Sequence, residues 1–262
     1  MPELPDLNIY AENLRKQLLN RKIIDVKPYA ASRINADKQK FIDACLQSSF
    51  INIIQDGKEI IFSLSNGQSF LVHLMLLGKF TINYGQLDLS LFNKIVSLYL
   101  EDDVILTISD EQMYAKVGLN PEKRNAPDAL SDDFSYSYFL SLVLSSSRKN
   151  IKSLLLDQKC IRGIGNAYVD EMLYNANISP KSITGKIPEK EIENLYKEIK
   201  NTLQWGIDNI KKISPNIISG EQRDFFRVHN KKLKQTAKGE KIIVEKVVSK
   251  KTYYTFAQKL YE

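Results

Sequence analysis

The chain has 262 residues, 43% hydrophobic and 26% charged, which is enough apolar material for a large core or two domains of ordinary size and too much for a disordered protein. No apolar run approaches the roughly 18 residues that span a bilayer, and the acidic start lacks the charged-then-apolar pattern of a secretory signal, so a cytoplasmic protein without membrane attachment is expected. The formal charge of +6 suits an anionic partner, while two distant cysteines, Cys45 and Cys160, exclude a disulfide framework and a four-cysteine metal site.

Removal of Met1 would leave Pro2 as a terminal secondary amine with the Glu3 carboxylate beside it. An α-amino group titrates near ~8, so part of it is unprotonated at neutral pH and can attack an electrophilic carbon. A secondary amine gives a cationic iminium, an electron sink that favours ring opening and elimination, with Glu3 placed to donate a proton. Taken alone, the same residues describe an ordinary frayed terminus, and the rest of the chain has to decide.

Between residues 5 and 20, Leu7, Tyr10, Ala11, Leu14 and Leu18 recur at helical spacing, with Asp6 near the start. Seven β-type runs follow, at 23–26, 51–55, 59–64, 69–74, 80–84, 95–100 and 104–108, several of them separated by turn residues such as Asp56-Gly57 and Ser65-Asn66-Gly67. One leading helix and seven short-linked strands predict a β-sandwich or barrel. Residues 117–135, with Pro121 and Pro127 among polar neighbours, read as a linker.

Beyond the linker the pattern turns helical, at 139–144, 151–156, 166–177 and 189–213. Inside this half, Gly163-Ile164-Gly165-Asn166 is a tight turn opening a helix, with Asn166 as the expected cap. Its N–H groups suit a phosphate, or else the glycines and the cap serve only the corner itself. Residues 221–262 hold eleven Lys and Arg against five Asp and Glu, an excess equal to the +6 of the whole chain. The lysines interleave with Ile242-Ile243-Val244, Val247-Val248 and the run 252–256, which predicts a basic β-hairpin rather than a loose tail.

With these pieces in place the chain resembles the formamidopyrimidine-DNA glycosylase / endonuclease VIII family of base-excision repair enzymes. The start MPELPDLNIYAENL is similar to the family's N-terminal signature, and IKSLLLDQKCIRGIGNAYVDEMLYNANISPK to its helix-two-turn-helix element; the similarity runs to about Phe226. The resemblance implies an α+β protein: an N-terminal catalytic β-sandwich with a leading helix at 1–116, a linker at 117–135, a C-terminal helix-two-turn-helix DNA-binding domain at 136–220, and a zincless finger-like β-hairpin at 221–262. It also implies a monomer without a cofactor that grips damaged double-stranded DNA, flips a nucleotide out of the stack, excises an oxidised base and nicks the strand by elimination. By the same resemblance Pro2 attacks C1′, Glu3 protonates the sugar ring oxygen, and Lys58 contacts phosphate near the lesion, where without the match it would be a surface turn lysine. Asn166 and the N–H groups around Gly165 fall on backbone phosphate. Asp6 stands where many relatives carry glutamate, to orient Pro2 or only to favour the start of the first helix.

Departures from the family pattern are specific. The usual finger binds zinc through four cysteines, whereas here Thr236, Thr255 and Gln258 take such positions, so Ile242, Val244, Val247, Tyr254 and Phe256 are expected to hold the hairpin by packing. Lys250 or Lys251 replaces the fingertip arginine, keeping the point charge and losing the bidentate fork. Leu76, Met113 and Tyr114 stand where relatives that excise oxidised purines insert Met, Arg and Phe into the space left by the flipped nucleotide. Losing that arginine predicts weak discrimination of the opposite base. Met113 reads equally as a core methionine, with another loop as the wedge. His73 reads as a packed, hydrogen-bonded histidine, and two histidines with these cysteines build no metal centre. Two further readings stay open beside the glycosylase–lyase: a damaged-DNA binding protein without base excision, and an enzyme dominated by abasic-site cleavage.

Overall fold

The apolar spacing of the first twenty residues becomes helix α1 (Leu4–Leu18), with Leu7, Tyr10, Leu14 and Leu18 all buried. The computed structural model describes residues 1–85 and 93–262. One of its two units comprises Met1–Pro2, Asp6–Lys123 and Ser214–Glu221, and the other Glu3–Pro5, Arg124–Ile213 and Gln222–Glu262.

In the first unit come β1 (Ile23–Pro28), α2 (Lys38–Cys45), β2 (Phe50–Asp56), β3 (Glu59–Leu64), β4 (Ser69–His73), β5 (Gly78–Tyr84), β6 (Lys94–Leu100), β7 (Val104–Asp110) and β8 (Lys116–Leu119). They pair antiparallel into two four-stranded sheets, ordered β1-β6-β7-β5 and β2-β3-β4-β8. The alternation of β3 puts Ile60, Phe62 and Leu64 inside and leaves Glu59, Ile61 and Ser63 half-buried. Phe41, Phe50, Phe62, Phe70 and Phe80 form an aromatic centre in which Phe62 and Phe70 stack with centroids 4.7 Å apart. Two elements depart from the sequence expectation. Helix α2 carries only Phe41 and Cys45 as buried residues, too short a period to stand out, and starts on the Asp37 side chain, which accepts from Gln39 N at 2.8 Å. Strand β8 lies at the start of the expected linker, where Val117 pairs with Val72.

The second unit contains α3 (Tyr136–Ser145), α4 (Ile151–Leu155), α5 (Asn166–Asn175), α6 (Glu189–Ile213) and a hairpin of β9 (Ile242–Val247) and β10 (Lys250–Thr255). Ser135 and Asn150 cap α3 and α4 by accepting from Tyr138 N and Ser153 N. Helix α6 buries Ile192, Leu195, Ile199, Leu203 and Ile210 along one stripe, and Gly206 lets the Tyr168 ring approach where a Cβ would lie 2.5 Å away. The hairpin is held by Val228, Ile242 and Tyr253 against Tyr174, with Val247 and Tyr254 also buried. Val244 and Phe256, expected to pack, are instead 49% and 78% exposed: Phe256 lies past the last strand residue, and Val244, although it shares a face with Ile242 and with its cross-strand partner Tyr253, lies outside the cluster those two form with Val228. No helix among the described residues is long and apolar enough to cross a membrane.

Phe70 touches Phe41, Phe50 and Phe62 at once. Phe70→Ala is expected to destabilise the first unit by about 3–5 kcal/mol, seen as an earlier transition in chemical denaturation.

Candidate active site

Helix α5 starts at a glycine, and a residue near the chain's start caps it. Gly165 is the N-cap residue and has no side chain to offer. The buried Glu3 carboxylate takes that role, with Oε1 accepting from Ala167 N at 2.9 Å and Oε2 from Tyr168 N at 3.2 Å. A Cβ on Gly165 would sit 2.2 Å from Glu3 Cδ, and one on Gly163, where φ is +96°, 2.5 Å from Leu4 Cδ1. Leu4 N donates to Gly163 O at 3.2 Å, which fixes the segment carrying Glu3 on the glycine corner. Asn166, expected as the cap, is the first helical residue, and its Nδ2 donates to Lys251 O at 2.8 Å. Its Oδ1 is buried without a hydrogen-bond partner among the described residues.

Two consecutive carboxylates of α5 hold the hairpin. Glu171 accepts from the backbone N–H groups of Arg227, Val228 and His229 at 3.0, 2.8 and 2.8 Å. Burial pushes its carboxyl above the ordinary 4.5, against the pull of those N–H groups. Asp170 accepts from Tyr253 N at 2.9 Å, lies 2.7 Å from His229 Nδ1, and pairs at 2.6 Å with the fully buried Lys152. Burial draws the Lys152 ammonium below the usual lysine value, with Asp170 opposing. Lys152 also donates to Thr252 Oγ1 at 2.7 Å, whose own hydroxyl donates to Lys250 O at 2.9 Å. The backbones of Lys250 and Lys251 are therefore both fixed, and their side chains point to solvent. Sequence reasoning missed these carboxylates, since nothing local in a helix marks which acids meet a hairpin more than 50 residues on.

In the first unit Pro2 is buried and the Met1 ammonium pairs with Glu221. The segment carrying Glu221 is pinned by Asn13 Nδ2, which donates to Pro215 O at 2.8 Å, and by Ser219, whose Oγ accepts from Phe80 N at 2.9 Å. Lys58 follows Gly57 (φ +62°) in the β2–β3 turn and is half-buried. Leu76 is 52% exposed on the turn before β5, where His73 Nδ1 accepts from Met75 N at 3.0 Å. Tyr114 is exposed on a turn shaped by the buried Asp110, which accepts from the N–H groups of Gln112, Tyr114 and Ala115 at 2.9, 2.8 and 2.7 Å. Met113, by contrast, packs against the core of this unit.

Comparison with known proteins gives one family. The family model of the formamidopyrimidine-DNA glycosylase N-terminal domain matches residues 1–117, and that of the formamidopyrimidine-DNA glycosylase H2TH domain matches 126–216. Formamidopyrimidine-DNA glycosylase of Carboxydothermus hydrogenoformans is 33% identical over 211 residues, covering 79% of this chain and 78% of that protein. The enzyme of the same name from Pelotomaculum thermopropionicum is 29% identical over 270 residues and 97% of both chains. Among solved structures, Lactococcus lactis formamidopyrimidine-DNA glycosylase bound to DNA with an abasic site has a TM-score of 0.87 at 23% identity, over 98% of this chain and 100% of that one, a likeness of fold.

The folded protein holds the Glu171 proton more tightly than the unfolded chain does, so this residue makes stability fall as pH rises from 4.5 through its raised folded value. Glu171→Gln is expected to remove that slope, read by denaturant unfolding across the acidic range.

Proposed function

The chain belongs to the formamidopyrimidine-DNA glycosylase family, and from that premise we infer that it is a monomeric base-excision repair enzyme: a DNA N-glycosylase for oxidised bases in double-stranded DNA, and an abasic-site lyase. The observation that carries the residue assignment is Glu3 held by its carboxylate on the glycine corner of α5, one peptide bond from Pro2. With Met1 in place the Pro2 nitrogen is an amide; removing Met1 makes it a secondary amine. Its lone pair attacks C1′ of the flipped nucleotide, and the bond from C1′ to the base breaks, the base leaving with that electron pair and taking up the proton that the Pro2 nitrogen sheds. Glu3 protonates the ring oxygen as the sugar opens, leaving an iminium on Pro2. Loss of a C2′ proton and departure of the 3′ phosphate cut the strand, and water returns the amine. After its proton has gone, the N–H groups of Ala167 and Tyr168 hold the Glu3 carboxylate.

Around this chemistry we assign phosphate contacts to Lys58, Asn166, the Gly165 N–H, Lys250 and Lys251, and void filling to Leu76 and Tyr114. Met113, packed below Tyr114's turn, supports the wedge rather than reading a base. As functional modules we keep residues 1–116 for the nucleophile, 117–135 as connector, 136–220 for backbone binding and 221–262 as the finger. The segment Ser214–Glu221 clusters with the first of these in the fold.

Borohydride reduction in the presence of abasic-site DNA is expected to trap a covalent adduct on Pro2, located by peptide mass. Glu3→Gln should slow ring opening, read as adduct trapping and strand nicking, by about 10²–10⁴-fold. No adduct, or an adduct on another amine, removes this mechanism; lesion binding without turnover would favour a binding protein. With no arginine in the wedge, excision rates opposite the four bases should agree within about fourfold, under ~1 kcal/mol and so less than the ~1–3 kcal/mol that one bidentate base contact can supply. A single-turnover panel of lesion duplexes reads this directly.

A further inference from the structure

The family's finger is usually a zinc site, and the residues of this hairpin do not fit that ion. Zinc sites are built from thiolates, imidazoles and carboxylates. The positions in question carry two hydroxyls and an amide, Thr236, Thr255 and Gln258, which stay neutral and bind the ion poorly. Among the described residues no three His, Cys, Asp or Glu side chains gather as a metal site. The same positions nevertheless converge. Oε2 of Glu240 accepts from Thr236 Oγ1 at 3.4 Å and from Thr255 Oγ1 at 3.3 Å, and both threonines are buried. Each hydroxyl has one proton to give, and a carboxylate oxygen can take both.

The two ends of this bridge are fastened further. Thr236 N donates to Glu240 O at 2.9 Å, Gly239 N to Thr236 O at 2.9 Å, and Thr236 Oγ1 accepts from Lys238 N and Glu240 N at 3.3 Å each, which closes the turn before β9. Gly239, at φ +80°, is the residue that lets this turn close. On the other side Thr255 N donates to Gln258 Oε1 at 2.8 Å, and Gln258 Nε2 to Ile178 O at 2.8 Å, which ties the end of β10 to the residues after α5.

We propose that Glu240 is the positioning residue of the finger: its carboxylate joins the two loops that a metal ion would otherwise join, so the hairpin presents Lys250 and Lys251 to DNA without zinc. This rests on the DNA-binding role assigned to the hairpin above. Charge and position make opposite predictions, which gives the test its sign. Glu240 is an anion on a basic hairpin, so if it acted only through its charge, both Glu240→Ala and Glu240→Gln would tighten DNA binding. If it acts as the bridge, Glu240→Ala frees both hydroxyls and weakens binding, whereas Glu240→Gln keeps a carbonyl oxygen for them and stays near wild type.

The experiment uses the full chain with duplex DNA holding a stable abasic-site analogue, measured by fluorescence anisotropy, together with hydrogen exchange and elemental analysis. Expected are zinc well below one equivalent, affinity unmoved by a strong zinc chelator, an affinity loss of about tenfold in Glu240→Ala, the worth of one or two such bonds, and faster exchange at 236–241 and 250–255 in that variant alone. Stoichiometric zinc, loss of binding with chelator, tighter binding in Glu240→Ala, or unchanged exchange overturns the proposal. Should Glu240→Ala fail to fold, Thr236→Val and Thr255→Val each remove one arm of the bridge and must loosen the same segments. Exchange is read without DNA, so it decides the bridge even if the wild-type chain were to form no adduct with abasic-site DNA and the glycosylase reading fell.

Discussion

The start of α5 is capped by a carboxylate 164 residues away in sequence, and that capping bond fixes the position of the acid in the proposed chemistry of the terminus. A helix N-terminus leaves N–H groups that require an acceptor, and Gly165 supplies none. Glu3 fills the gap, so the same bonds that complete the helix place an acid next to the residue proposed as nucleophile. The glycines then have a reason unlike the one their spacing first suggests. Gly163 and Gly165 are small because Leu4 and Glu3 lie where their side chains would be.

The hairpin depends on the next turn of the same helix. Asp170 and Glu171 are both buried, and the Asp170–Lys152 ion pair roughly offsets its own desolvation instead of adding net stability. What they supply is direction. Glu171 gathers three successive backbone N–H groups at 227–229, and Asp170 takes one from Tyr253 while Lys152 neutralises it. Any other placement of the hairpin leaves a charge or several N–H groups buried and unpaired, a penalty of several kcal/mol by order of magnitude. Helix α5 thus orders an acid at its first turn and a basic ribbon at its second, which is why its sequence is the densest in chemistry of the whole chain.

How much of this could be read from the residues alone follows from the range of each interaction. Helix α6 was legible from end to end, 189–213, because a 25-residue stripe of apolar positions has one solution. Strands β3 and β4 were legible from alternation and turn residues. The β8 strand was not, because four residues followed by Asn120-Pro121 carry no period of their own and form only by pairing with β4. Asn166 looks like a cap in sequence, since Asn is a preferred cap, but a longer-range carboxylate won that place. Val244 and Phe256 look like core in composition and lie outside, since alternation marks a face and not how far along it the core reaches: Val244 sits opposite the buried Tyr253 but outside the cluster of Val228, Ile242 and Tyr253. The proposed site was visible where it is covalently local, at Pro2 and Glu3; the carboxylates that anchor the finger, Asp170, Glu171 and Glu240, were not, because nothing in their local sequence marks their partners.

The hairpin tip shows a fold giving up stability at the place where it is proposed to act. Val247 pairs with Lys250, so the loop is two residues, Val248 and Ser249, with φ of 45° and 64°. Such a loop matches the twist of paired strands, but it is ordinarily made by Asn and Gly, and a β-branched residue in left-handed backbone is strained. The next pair sets Lys251 directly opposite Lys246, two like charges across an antiparallel ladder, with Lys250 exposed beside them. Strain and repulsion both work against the isolated hairpin, which is why it needs Asp170, Glu171 and the Glu240 bridge behind it. An anion laid along the lysines relieves the repulsion without touching those anchors, so the term that weakens the hairpin alone strengthens it on a phosphate backbone.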